Sequence, residues 1–539
     1  SDLAATADGA IAFTNATGAE VRLIAGTTIT GDTIRATGNR GGGGNDNVEL
    51  TAPGAITINS ASTVSEDIIV RAGTFNATML DAASDINVQA TGAIDIGTAR
   101  SGDTMTITGA TNVLGIGSAG TAMTLAAGAG ALTTGTLTAG STMSLNASQG
   151  LSIGTATAAS DLAATATAGA LSFGDVAGAE VRLIAGSTIT GGTIRATGNR
   201  GGGGNDNIEL TVPGAIAIAS ATTASEDIIV RSGTFTATLL DSASDINVQA
   251  TGAINIGTAR SVDTMTITGT TTELNEGTAG TAMTLAATAG ALTAGTLTAG
   301  STMTLGASQN VNFITATAGS DLAATADGAI AFTNATGAEV RLIAGTSITG
   351  DTIRATGNRG GGGNDNVELT APGAITINSA STVSEDIIVR SGAFTATTLD
   401  AADGIDVLAT GAADIGTASS GGVMAISGAT TELDTGTSGG AMTLAATNGN
   451  LVTGMLTSSD TMSLNASQSV SIGTATAVSD LAATATAGAL SFGDVAGAEV
   501  RLTAGTSITG GTIRATGNRG GGGNDNVELT APGAITITS

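Results

Sequence analysis

The chain repeats itself on two scales, and the finer one sets what it can fold into. The segment SDLAAT begins at Ser1, Ser160, Ser320 and Ser479, and the fourth copy runs only to Ser539. TIRATGNRGGGGNDN is identical in all four copies. Within each copy short alternating segments recur, among them DLAAT, EVRL, NVEL, DIIV, DINV and TMTI. Their first apolar residues are Leu3, Val21, Val48, Ile68, Ile86, Met105, Met123 and Met143. The steps are 18, 27, 20, 18, 19, 18 and 20, with 19 more to Leu162. A unit that short cannot bury its apolar face alone and must stack on its neighbours. Eight turns of about 18–20 residues therefore make one long repeat. The repeats are 1–159, 160–319, 320–478 and a partial 479–539, expected to form one continuous solenoid. The chain starts on a repeat and stops inside one, which reads as a section of a longer polypeptide.

Each turn alternates with period two. In DINVQATGAIDIGTA, Ile86, Val88, Ile94 and Ile96 fall on one side, and Asn87 and Asp95 on the other. That is the pattern of half-buried strands, and apolar i, i+4 stripes are missing. The expected fold is all-β, a parallel β-helix with three short strands and three corners per turn. Seven phenylalanines, Phe13, Phe75, Phe173, Phe235, Phe332, Phe394 and Phe492, should point inward. Phe313 is set apart, because VNFITATAG departs from the LSIGTATAA of the first copy. Stacking also aligns outward residues. Arg22 of EVRL should lie beside Glu49 of NVEL, and likewise Arg182 beside Glu209, Arg341 beside Glu368 and Arg501 beside Glu528.

Composition limits the chemistry. The chain has 82 Gly, eight Phe, and no Trp, Tyr, Cys or His. Without Cys there are no disulfides, thiolates or thiolate metal sites. Without His the usual general base near neutral pH is gone. All 17 basic residues are Arg, against 44 acidic ones, for a net charge of −27. Such a surface repels nucleic acid. No apolar run reaches the roughly 18 residues of a membrane helix, so this segment is not expected to insert in a membrane. Glu66, Asp67, Arg71 and Asp95 are the residues a surface enzyme would use. The first three return as Glu226, Asp227 and Arg231, and as Glu385, Asp386 and Arg390. A series of identical shallow faces is a poor basis for catalysis, which needs one preorganised cleft. No enzymatic activity is expected.

With turns of this length that read like DINVQATGAIDI, the chain resembles the repeat regions of filamentous haemagglutinin-like and autotransporter-type adhesins of Gram-negative bacteria. The resemblance implies a right-handed parallel β-helix on the cell surface. It also implies an extracellular shaft that meets a ligand on a host or neighbouring cell. The alternative is a structural filament or biofilm-matrix protein whose partners are copies of itself.

The long step from Val21 to Val48 carries the insertion GNRGGGGNDN. Four successive glycines mark a loop. No Gly-Lys-Ser/Thr follows, so the run is not a phosphate-binding loop. GGGGNDNVE, from Gly41 to Glu49, instead fits the nonapeptide G-G-x-G-x-D-x-U-x and resembles the RTX-type calcium repeats of secreted proteins. That resemblance implies calcium as the cofactor, bound by Asp46, Asp206, Asp365 and Asp525 with backbone carbonyls, and with Asn45 and Asn47 as neutral oxygens. The aliphatic position is Val48, Ile208, Val367 or Val527. RTX nonapeptides work in tandem, whereas this chain has one per long repeat. The other reading is a bare loop that stands off the solenoid as a repeated contact.

Overall fold

The computed structural model describes residues 1–38, 48–198, 208–357, 367–517 and 527–538. Among these the chain is all-β, without helix, and its parallel strands stack into a β-solenoid of about 26 turns. It divides into two compact units, Ser1–Gly269 and Thr270–Ser539, each built of the same turns.

A typical turn has a five-residue strand and an eight-residue strand, such as Leu3–Ala7 and Ile11–Gly18. Each pairs in parallel with its counterpart one turn on: Leu3 with Val21, Ile11 with Ile29. The longer strand hides a corner. Along Leu151–Ala158 the residues run in, out, in, then out twice, then in, out, in. The double outward step falls at Gly154–Thr155. There the pairing skips one residue, from Ile153↔Phe173 to Thr155↔Asp175. The alternation changes phase at that point, so one eight-residue strand supplies two of the three faces. A typical turn therefore has two strands rather than the expected three, because the corner between two faces lies inside the longer strand.

The core follows from this geometry. Val21, Val48, Ile68, Ile86, Met105, Met123, Met143 and Leu162 form one buried column. Six of the seven inward phenylalanines are buried and Phe13, in the first turn, is partly so. Phe313 is buried as well and stacks on Phe332, with ring centroids 5.4 Å apart.

Inward glycines of two kinds are explained by what fills their space. Phe173 pairs with Gly191 one turn on, and a Cβ added to Gly191 would lie 2.2 Å from the Phe173 ring. Phe13 over Gly31, Phe332 over Gly350 and Phe492 over Gly510 repeat the arrangement. Large and small residues thus interlock along the stack, as close packing requires. Gly117, on the third face, leaves room for the Leu114, Leu137 and Met123 side chains. Unbranched, flexible Met suits that irregular gap.

Corners are closed by side chains. The Asp67 carboxylate accepts from the Asp85 N–H at 2.9 Å. The Asp85 carboxylate in turn accepts from Thr104 N–H at 2.7 Å and its hydroxyl at 2.8 Å. Short acidic side chains do this well, because they reach backbone donors beside them. The ladder recurs at Asp227, Asp245 and Thr264. Pro53, which has no N–H to place in a ladder, sits where the pairing shifts between Ala52 and Ala55.

Candidate functional site

The most distinctive surface is a charged strip beside each Gly-rich insertion. Val21 and Leu23 point inward, which turns Arg22 outward, and Val48 and Leu50 do the same for Glu49. The ladder sets Arg22 beside Glu49, and Arg22 Nε lies 2.7 Å from Glu49 Oε2. The other repeats give 2.9 Å for Arg182–Glu209, 2.8 Å for Arg341–Glu368 and 2.9 Å for Arg501–Glu528. All four expected pairs are formed.

Arg71 adds a contact that the sequence does not announce. It lies on the turn after Glu49, paired with Thr51, and its guanidinium reaches back to Glu49 Oε1 at 4.0 Å. Arg231 does the same to Glu209 at 3.7 Å. Glu49 therefore sits between two cations. Its side chain is 15% exposed, against about half for both arginines. In the third repeat Asp406 stands where earlier copies have Asn87 and Asn247. Arg390 turns to Asp406 at 2.5 Å and also donates to its backbone carbonyl at 3.1 Å. The same segment also has Leu408, paired with Arg390, where the earlier copies have Gln89 and Gln249, so the arginine's changed partner accompanies two substitutions. With both arginines about half exposed, such pairs contribute about 0–1 kcal/mol each, so the strip adds little to stability.

The strip lies where the insertion joins the solenoid. Glu49 follows Val48, the first described residue after 39–47. At the other junction Ser65 Oγ donates to the Gly38 carbonyl at 3.2 Å. Ser225 and Ser384 bind Gly198 and Gly357 in the same way, both at 3.0 Å. Glu20, Glu180 and Glu339, the first residues of the first three EVRL segments, sit at the corner just before the strand and are buried. A corner residue falls outside the period-two pattern, so alternation gives no signal for that burial.

Asp46, Asp206, Asp365 and Asp525 lie outside the described residues. Among the described residues no group of three or more carboxylates is placed to hold a metal ion. The residues a surface enzyme would use do not converge. Glu66 and Asp67 are in a corner, where the Glu66 carbonyl accepts the Thr63 hydroxyl and Asp67 closes the next turn. Arg71 faces the strip, and Asp95 points outward from the following strand.

Among the described residues no helix is long and apolar enough to cross a membrane. Comparison with protein-family models, with curated proteins and with solved structures finds no match in any of the three.

Proposed function

We propose that the chain is part of the extracellular shaft of a large bacterial surface adhesin or fibre, mediating attachment or contact between cells. The supporting observation is the recurrence of one outward surface, the Arg22–Glu49 strip and its three counterparts, once in every long repeat. A stack of near-identical turns gives such a surface at regular intervals, which suits a multivalent fibre better than a single cleft. In this reading the fibre sits on a Gram-negative cell, carries no catalytic step, and meets ligand through its side faces. Antibodies against the purified chain should label intact cells of the producing organism. Label that appears only after lysis would remove the surface reading.

A second reading is a self-associating filament of the extracellular matrix. It is favoured by exposed apolar pairs on either side of a corner, Val113 with Ile116 and Val452 with Met455. Sedimentation of the full chain over a range of concentrations separates the two: a constant monomer discards the filament.

A further inference from the structure

The long repeats are close copies, so a place where one of them alone builds a feature is informative. Such a place lies on the face carrying Phe313. Four successive turns pair there through Glu273↔Thr293, Thr293↔Asn312 and Asn312↔Ala331. Glu273 and Asn275 form one wall of an open slot, Asn312 and Ile314 the other, and Thr293 and Gly295 the floor between them; the space is about 470 Å³. Parallel neighbours are about 4.8 Å apart, so walls two turns apart stand about 10 Å from each other. Gly295 has no room for a side chain, since a Cβ would lie 2.3 Å from the Asn275 carbonyl, and this keeps the floor clear. Beneath the second wall the stacked rings of Phe313 and Phe332 give a rigid base.

In the first repeat these walls are Val113 with Gly115 and Ser152 with Gly154. In the third they are Glu432 with Asp434 and Ser471 with Gly473. Only the second repeat has carboxamides on both walls, and its second wall carries a large apolar side chain, Ile314, 60% exposed, where the first and third repeats have Gly154 and Gly473.

We infer that this slot binds an uncharged oligosaccharide lying along the strand direction. Its polar side chains are one carboxylate, two carboxamides and the hydroxyls of Thr293 and Thr333, a set that pairs with vicinal sugar hydroxyls. The Ile314 side chain offers a surface for the apolar face of a pyranose ring. No arginine lines the slot, so it has no partner for sulfate, phosphate or a sugar carboxylate, which Arg would recognise. An extended peptide is disfavoured, because strand addition needs a free sheet edge and here the face presents side chains above paired ladders. The inference deepens the adhesive reading by naming a ligand class, but its test uses purified protein and does not depend on where the chain resides.

The full chain is applied to an array of uncharged hexose and N-acetylhexosamine oligosaccharides printed beside sulfated and sialylated ones. Hits are then titrated calorimetrically against the chain and the double variant Asn312→Ser/Ile314→Gly. Those replacements are the first repeat's own residues at the same turn, so the variant should keep the wild-type melting curve. The expected result is binding to uncharged glycans, weakened at least about tenfold in the variant, the loss that about 1.4 kcal/mol represents. Binding unchanged in the variant, binding confined to sulfated or sialylated glycans, or no binding to the array would each overturn the inference. Cell-surface labelling reports on the adhesive reading separately.

Discussion

Replacing Gly191 with Ala puts one methyl group where the Phe173 ring already is. The added Cβ would lie 2.2 Å from Cζ and 2.3 Å from Cε2, whereas carbon atoms in contact sit about 3.5–4.0 Å apart. The ring must retreat by more than about 1 Å to reach that separation, and the way is blocked. Phe173 pairs on its other side with Ile153, and both are buried. Overpacking of this kind costs about 1–3 kcal/mol. In a solenoid the damage stays with the turns concerned, because each meets only its neighbours. A melting curve of the whole chain would therefore understate it. Hydrogen exchange read on peptides covering Ile189–Ala196 is the suitable assay. Exchange there should quicken by about 5–150-fold, since about 1.4 kcal/mol corresponds to tenfold, while the turns around Met123 stay protected. Adding Phe173→Leu to remove the ring should restore part of the protection, because the two sites share one space. Unchanged exchange at 189–196 in the single variant would refute the interlocking of Phe with Gly.

Three further outcomes can be checked. Asp85→Ala removes the acceptor for two Thr104 donors and should destabilise that corner by about 1–3 kcal/mol, seen as faster exchange at Thr104 and Met105; equal exchange would show that water replaces the carboxylate. Glu49→Gln should change local stability by less than about 1 kcal/mol, with a difference that shrinks as salt is raised; a salt-independent effect would mean that packing, not charge, holds the strip. Calcium titrated calorimetrically into the full chain should release or absorb heat and raise the melting temperature, reversibly with chelator, if Asp46 and its counterparts bind it; no heat at millimolar calcium discards the ion and leaves the loop.

The sequence made the stacking legible because burial and exposure alternate residue by residue, as at Ile86, Asn87 and Val88. The same alternation fixes register, so Arg22 beside Glu49 followed directly. The reach of Arg71 back to Glu49 did not, because a long side chain crosses between turns and period two says nothing of its direction. The corner at Gly154–Thr155 was obscured because the ladder runs on through it. Nothing in the sequence around Gly191 marks it as a packing residue, and only the Phe173 ring one turn earlier explains it. The slot did leave a signal, the departure of VNFITATAG from its counterpart. That signal pointed to the direction of Phe313, while the feature lies in the outward residues on either side of it.

The Phe-over-Gly fit also bears on how such a protein can change in length. The turn Leu151–Ala158 presents Leu151, Ile153 and Ala156 to the turn that follows, which answers with Leu171, Phe173 and Val176. The turn that opens the third copy carries Ile330, Phe332 and Ala335 at those places, nearly the same shapes. Excising one whole copy would therefore join surfaces that already fit, whereas excising half of one would set unlike turns together. Copy number becomes a length dial that clicks once per long repeat, and a gene that gains or loses one unit yields a shorter or longer protein without having to invent a new contact.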